Sequence, residues 1–415
     1  MNPETLVFTN PANGSTFGEV VMTTPEAVQK AVDDMRAAFP AWSAKPVKER
    51  IRILSKFQGL MIENSDEITR VINQDCGKSR QDALIELFVS VDMLAEYSWQ
   101  APKWLKKRPV SSGLYLMKQA FIEYRPYGVA AIISPWNYPF TLAIPPMMAA
   151  LLAGNTVVLK PSEVTAATGV LVEKMLMQVP ELAPYVRVVH GDGRVGAALT
   201  QARPDFIFLT GSTGTGRKIM QAASETLTPI ALELGGKDAM IVLDDADLNA
   251  AARWGVWGAF FNTGQTCMAV ERVYVVEQCY DEFVKLALEY TARFKPGYST
   301  ELNTDYSMGP VTDPRQVKII DRHMEDALAR GAKKLTGGKE QGGFYSPIVL
   351  VNVDHSMLLM KDETFGPILP IMKVKDEAEA IRMALDTTTD EVGLVRNQPV
   401  AATVLQQLRV ARHGA

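Results

Sequence analysis

The stretch Val129–Lys160, VAAIISPWNYPFTLAIPPMMAALLAGNTVVLK, decides the fold. It opens on a short apolar run, breaks at Ser134-Pro135-Trp136-Asn137, and passes through a helix-length segment. A second apolar run, Thr156–Leu159, then leads into Lys160-Pro161-Ser162-Glu163. The alternation continues at Val186–Val189, Phe206–Leu209, Ile230–Leu232 and Met240–Leu243. Runs this short and this apolar suit strands covered on both faces, which predicts a parallel sheet built from βαβ units. Most of them end in polar or Gly/Pro clusters, among them His190-Gly191-Asp192-Gly193 and Thr210-Gly211-Ser212. Ligands of open α/β sheets bind at the carboxyl ends of strands, so these clusters are expected to converge on one crevice. Arg272–Val276, followed by the helix-like Asp281–Phe294, predicts a second α/β unit.

Upstream, the first hundred residues read as helices. Thr24-Pro25-Glu26 places a capping threonine before a proline suited to the first helical position, and Val28, Val32, Met35 and Phe39 follow at helical spacing. A second helix carries Ile51, Leu54, Phe57 and Met61; a third runs from Ser65 to Cys76, with Gly77 placed to end it. Leu114–Tyr124 mixes aromatic, β-branched and polar residues and reads as an extended arm or a hairpin. No internal repeat, low-complexity tract or linker interrupts the chain.

At 415 residues the chain suits two or three domains. With 47% hydrophobic and 22% charged residues it is neither disordered nor fibrous. A net charge of −4 with no dense Lys/Arg run argues against nucleic-acid or anionic-membrane partners. Apolar stretches stop well short of a membrane span, and the N-terminus lacks a basic region ahead of an apolar block, so neither a spanning helix nor a secretory signal is expected. Three cysteines cannot build a disulfide framework, which fits a reducing, cytoplasmic location. Four histidines without ligand spacing make a metal site unexpected.

Candidate chemistry is sparse. Cys267 lies in Asn262-Thr-Gly-Gln-Thr-Cys-Met268, a polar, glycine-bearing segment between an apolar helix and a strand. A thiol there is accessible to substrate, provided its pKa of about 8.5 is lowered by backbone N–H groups, a helix end or a cation; equally, cysteine is often a small buried hydrophobe. Cys76, on a helix's apolar face, reads as core, and Cys279 as structural. Glu233 follows the apolar run Pro229–Leu232; desolvation there would raise its pKa toward that of a general base, the alternative being a solvated strand-end carboxylate. Two glycine motifs compete for phosphate. Gly191-Asp-Gly-Arg-Val-Gly196 has the dinucleotide spelling, whereas Gly211-Ser-Thr-Gly-Thr-Gly216 follows a strand and begins a helix with hydroxyls at its N-terminus. Pattern alone does not separate them, and either serves equally as a tight turn.

Six segments in order resemble the NAD(P)-dependent aldehyde dehydrogenase superfamily: Ser134-Pro-Trp-Asn-Tyr-Pro-Phe140, Val158-Leu-Lys-Pro-Ser-Glu163, Thr210-Gly-Ser-Thr213, Leu232-Glu-Leu-Gly-Gly-Lys237, Gly264-Gln-Thr-Cys267 and Glu363-Thr-Phe-Gly-Pro367. The similarity covers roughly residues 8–385. It implies an α/β fold with a Rossmann-type cofactor domain over 1–112 and 126–234, an oligomerisation arm at 113–125, a second α/β catalytic domain over 235–385 and a divergent tail at 386–415. It implies Cys267 as nucleophile, Glu233 as the base that activates water, and Asn137 with the Cys267 N–H as the oxyanion hole, a kind of donor set worth about 3–4 kcal/mol of barrier. Lys160 belongs to both the catalytic and the cofactor-binding sets. Gly211, Ser212 and Gly216 become the pyrophosphate turn, Gly193 lies toward the adenine end, and Lys160 with Glu163 holds the adenosine ribose. Pro135, Trp136, Ser162 and Leu234 also line the cofactor; Glu363 takes the nicotinamide ribose and Phe365 packs by the ring. A carboxylate at Glu163 repels a 2′-phosphate, so NAD is expected over NADP. Tyr138, Met268 and Ala269 suggest an apolar entrance for the aldehyde.

Beyond residue 385 the family's later motifs are not recognisable: Leu385-Asp-Thr-Thr-Thr-Asp-Glu-Val-Gly-Leu394 keeps at best a Gly-Leu pair, and 397–414 does not align. The expectation is a truncated or frameshifted member with exposed sheet edges and impaired folding or assembly, in a family of homodimers and homotetramers. Two other functions stay open: a CoA-acylating relative, and an inactive member serving as a binding or structural protein.

Overall fold

The computed structural model describes residues 4–115, 117–386 and the backbone of 392–395. The chain forms two compact units, one of residues 1–76 and 80–234, the other of residues 77–79 and 235–415.

In the first unit the hairpin β1 (Thr5–Thr9) and β2 (Thr16–Val21) precedes four helices, α1 (Pro25–Ser43), α2 (Val47–Glu63), α3 (Ser65–Cys76) and α4 (Arg80–Trp104). Each begins or ends where local chemistry dictates. Thr24 Oγ1 accepts the Ala27 N–H at 3.3 Å ahead of Pro25, and Gly77 at φ 74° ends α3. Val28, Val32 and Met35 are fully buried, as are Leu54, Phe57 and Met61. A second hairpin, β3 (Arg108–Val110) and β4 (Ala120–Ile122), pairs Pro109 with Phe121. The arm expected at 113–125 is thus the outer part of a hairpin that opens earlier, at Arg108; Leu116 lies outside the described residues.

The remainder of this unit alternates strand and helix: β5 (Val129–Ile133), α5 (Ile144–Ala153), β6 (Thr156–Lys160), α6 (Ala166–Met177), β7 (Val186–Val188), α7 (Gly193–Gln201), β8 (Phe206–Thr210), α8 (Thr213–Ser224) and β9 (Ile230–Glu233). The sheet is wholly parallel in the order β7-β6-β5-β8-β9. Every residue of β5 and β6 is buried, because the two faces pack against different helices. Ala130 and Ile132 join Val157 and Leu159 in a core with α2–α6, whereas Val129, Ala131 and Ile133 join Val158 in a core with α1, α7 and α8. The two-residue period sends alternate side chains to opposite faces. Strand order reverses between β5 and β8, the point at which doubly wound sheets bind ligands.

The second unit comprises β10 (Ala239–Val242), α9 (Leu248–Phe260), β11 (Arg272–Val276), α10 (Tyr280–Thr291), α11 (Pro314–Ala329), β12 (Lys333–Lys339), β13 (Tyr345–Val351), β14 (Ile368–Val374), α12 (Glu377–Leu385) and β15 (Val392–Val395). Its sheet runs β12-β13-β14-β11-β10-β15, with only the β12–β13 pair antiparallel. The Met240–Leu243 run is realised as β10 and belongs to this second sheet, beside β11. The stretch expected to be a divergent tail supplies β15, whose backbone pairs in parallel with β10 from Ala239↔Val392 to Val242↔Val395. The rest of that stretch, 387–391 and 396–415, lies outside the described residues. Among the described residues, no helix is long and apolar enough to cross a membrane.

Candidate active site

The carboxyl ends of the first sheet carry most of the expected residues of that unit. The turn after β5 is pinned by two helices. Cys76 Sγ on α3 donates to the Trp136 carbonyl at 3.8 Å, and the buried Glu86 carboxylate on α4 accepts the Phe140 and Thr141 N–H groups at 2.7 and 3.1 Å. Asn137 is buried within this turn, between partly buried Trp136 and Tyr138. The Ser134 N–H donates to Lys160 O at 3.1 Å, joining the ends of β5 and β6, while the buried Ser134 Oγ has no partner.

Lys160 is buried, its Nζ donating to Pro161 O at 3.0 Å and lying 3.8 Å from Glu163 Oε2. Burial depresses the ammonium's pKa, against the opposing pull of Glu163 and Asp192. Ser162 Oγ accepts the Val164 N–H at 3.2 Å. The Gly191–Gly196 segment, which opens α7, runs alongside: a Cβ on Gly196 would fall 3.6 Å from Lys160 Cδ.

Geometry separates the two glycine motifs where pattern did not. The N-terminus of α7 already holds a carboxylate, since Asp192 Oδ1 accepts the Arg194 N–H at 2.9 Å just before Gly193. The N-terminus of α8 has a neutral cap, Ser212 Oγ, which accepts the Thr215 N–H at 3.2 Å. Phosphate is favoured at a helix N-terminus and disfavoured beside a carboxylate, so α8 is the better anion site. Close packing there requires glycine: a Cβ on Gly216 would fall 2.7 Å from Leu234 Cδ2. The neutral cap of α8 and the partnerless Ser134 hydroxyl, at the ends of the two strands flanking the switch point, fit a dinucleotide.

Glu233 ends β9, opposite Thr210, and its carbonyl accepts the Gly211 N–H at 2.9 Å. Its side chain is exposed. Of the two readings of this residue the solvated strand-end carboxylate is the one found, because β9 is an edge strand whose other residues are only partly buried.

In the second unit Cys267 is exposed, whereas Cys76 and Cys279 are buried; all three are free thiols. The approach to Cys267 is a run of left-handed residues, Asn262, Thr263 and Gly264, at φ 50°, 60° and 73°. Side-chain bonds hold this strained turn. Asn262 Nδ2 donates to Gln265 O at 3.2 Å, Gln265 Nε2 returns to Asn262 O at 3.0 Å, and Gln265 Oε1 accepts the Thr312 N–H at 2.8 Å. Thr263 Oγ1 donates to Gly309 O at 2.9 Å. A Cβ on Gly264 would fall 2.3 Å from the Gly366 carbonyl oxygen. Gly264→Ala is expected to cost about 2 kcal/mol or more, combining backbone strain with that clash, and to be read as a lower urea midpoint. An unchanged midpoint would refute the rigid seat. Beyond the thiol, Met268 is 71% exposed but Ala269 only 3%, so of these two neighbours Met268 alone faces solvent; Ala269 does not line an entrance as expected.

Glu363 and Phe365 lie in the same unit, on the turn before β14. The Glu363 carboxyl sits over the Gly235-Gly236 segment: a Cβ on Gly235 would fall 2.2 Å from Oε2, and the Gly236 N–H bonds to the carboxylate. Burial and the nearby Glu271 carboxylate push its pKa up to about 7. Phe365 takes a left-handed φ of 49°. Around this turn is a buried polar cluster that sequence reasoning missed. Glu271 Oε2 accepts the Thr364 N–H at 2.9 Å and Oε1 the Phe365 N–H at 2.7 Å. Lys237 Nζ donates to Glu271 and, at 3.1 Å, to Thr364 Oγ1. His323 Nδ1 lies 3.1 Å from the same hydroxyl, its pKa depressed to about 4 chiefly by burial and then by Lys237. Burial likewise lowers the Lys237 ammonium, against Glu271. The sequence signal was a charged pair, Glu271-Arg272, set where the otherwise apolar strand β11 begins.

The comparisons agree with this architecture. A profile of the Aldehyde dehydrogenase family matches residues 1–411, well past the limit at 385 drawn from motifs. The chain is 41% identical over 386 residues to a 4,4'-diapolycopene aldehyde oxidase of Methylomonas sp, covering 92% of this chain and 72% of that one. It is 34% identical over 392 residues to a succinate-semialdehyde dehydrogenase (NADP(+)) of Escherichia coli strain K12, covering 93% and 80%. A crystal structure of betaine aldehyde dehydrogenase from Staphylococcus aureus in complex with NAD+ superposes with a TM-score of 0.90 at 28% identity, covering 98% of this chain and 82% of that one. The chain belongs to the aldehyde dehydrogenase family, NAD(P)-dependent enzymes that oxidise aldehydes to carboxylic acids.

Proposed function

We propose that Cys267, Glu233 and Asn137 carry the oxidation, with NAD preferred over NADP and an apolar aldehyde as substrate. The observation that carries this reading is the contrast among the three cysteines: Cys267 alone is exposed, on a loop fixed by a left-handed turn. Its thiolate adds to the carbonyl carbon, forming a C–S bond and moving the C=O π pair onto oxygen. The Asn137 amide and the Cys267 N–H stabilise that oxyanion. Bound NAD supplies a nicotinamide ring able to accept the C–H hydrogen with its electron pair. Loss of that hydride leaves a thioester on Cys267. Glu233 then takes a proton from water as the water oxygen adds to the thioester carbon; the C–S bond breaks, the sulfur departs as thiolate and the acid is released.

Ser212 with Gly211 and Gly216 would hold the pyrophosphate, next to Leu234; Lys160 and Glu163, flanked by Ser162 and Gly193, would hold the adenosine end. Pro135 and Trp136 contribute a wall, Glu363 binds the nicotinamide ribose and Phe365 packs by the ring. The Glu163 carboxylate, partly exposed beside Lys160, supports NAD, since it accepts ribose hydroxyls and repels a 2′-phosphate. Exposed Met268, uncharged beside the nucleophile, supports an apolar substrate, as does the 4,4'-diapolycopene aldehyde in the name of the 41% identical relative. Free thiols throughout support a reducing compartment such as the cytoplasm. The β3–β4 hairpin, with exposed Leu114, Tyr115 and Phe121, is the expected arm of a homodimer or homotetramer.

Steady-state NADH formation with long-chain aliphatic aldehydes and succinate semialdehyde, with and without CoA, tests the proposal. Turnover independent of CoA, fastest with the aliphatic aldehydes and at least about tenfold better in kcat/KM with NAD than NADP, is the expected result. A CoA requirement points instead to an acylating enzyme, and absence of turnover to a binding protein.

A further inference from the structure

We propose that Glu271 is a positioning residue that fixes the 363–365 turn and thereby aims the Glu363 carboxylate at the cofactor. The inference rests on the reading that Glu363 binds the nicotinamide ribose. A left-handed φ at Phe365 disfavours this turn on its own, so something must hold it. Glu271 does so with both carboxylate oxygens, one on each of two successive N–H groups. Lys237 clamps the same turn from the glycine side, reaching Glu271 and the Thr364 hydroxyl together. Arg272, wholly buried, donates from Nε to the Lys237 carbonyl at 3.1 Å and so anchors the strand next to the clamp. Three segments therefore meet at one carboxylate: the Gly235-Gly236-Lys237 stretch, the chain four residues beyond Cys267, and the Glu363 turn.

The amide variant Glu271→Gln keeps the shape but turns one acceptor into a donor facing an N–H. NAD affinity of the full-length protein, measured by calorimetric titration, is expected to weaken about tenfold, with the KM for NAD rising in parallel and kcat at saturating NAD changing less than about twofold. Glu363→Ala should weaken NAD binding similarly, and the double variant no further, because one residue acts through the other. A pH series gives a signature that a merely structural role would not: wild-type affinity should rise as pH passes upward through about 7 while Glu363 ionises, and Glu271→Gln should move that rise to lower pH by removing a like charge. If Glu271→Gln does not yield folded protein, the paired variant Lys237→Met with Glu271→Gln leaves no lone buried charge and is expected to show the same weakened binding. Wild-type NAD affinity in either Glu271 variant, with Glu363→Ala still weak, overturns the positioning role and leaves the ribose reading standing. Wild-type affinity in Glu363→Ala overturns the ribose reading itself.

Discussion

Replacing Cys267 by alanine abolishes NADH formation, a loss of at least about 10⁴-fold in kcat, while NAD still binds with wild-type affinity. The size follows from the chemistry: without the sulfur no covalent intermediate forms, and the remaining oxyanion donors have nothing to stabilise. Selective labelling provides the companion test. Cys76 and Cys279 are buried, and burial raises the Cys279 thiol's pKa, so brief iodoacetamide treatment should incorporate about one equivalent per chain, at Cys267, in step with inactivation. Dehydrogenase activity surviving in the alanine variant, or labelling of a different cysteine as activity is lost, would remove Cys267 from its role.

Glu233→Gln separates the two halves of the reaction. Oxidation does not need the carboxylate, so rapid mixing should show a burst approaching one NADH per chain. Hydrolysis does need it, so the steady rate that follows should be slower by about 10²–10⁴-fold, the usual worth of a positioned base. Because the side chain is exposed, the substitution buries no lone charge and the folded protein should melt as the wild type does. Added small thiols, which attack the thioester without a protein base, should restore part of the turnover. A slow variant without a burst would move Glu233 to the oxidation step, and full turnover would dismiss it.

The strands were legible because their signal is local. Val129–Ile133 and Arg272–Val276 emerge with the boundaries that their apolar runs predict. So does the helix from Ser65 to Cys76, where a glycine must adopt positive φ. What the runs left open depends on strand order. Glu233 follows an apolar run that looks like any other, but its strand falls at the edge of the sheet, and edge position is not written in a run of residues. The tail misled for a similar reason: Val392–Val395 sits among unfamiliar residues, yet it pairs with β10 through backbone groups that any sequence carries. The Lys237–Glu271 pair was invisible because its partners are distant in the chain and meet only after both loops are placed. Lys237 was in view as part of a motif, but nothing in the motif shows what it holds.

Residues 77–79, grouped with the later part of the chain although helices of the earlier part stand on either side, carry a practical consequence. A Cβ on Gly309 would strike the Gly77 carbonyl oxygen at 2.3 Å, so this short insert is seated tightly against a loop more than two hundred residues downstream. No single scission of the gene can deliver both halves whole. A fragment stopping at Leu234 carries away Gly77 and Lys78, which line the floor beneath Gly309, and the complementary fragment is left with an unfilled notch. Expressed alone, the second piece should therefore be less stable than it is within the whole chain, and only the piece ending at Leu234 can refill the notch.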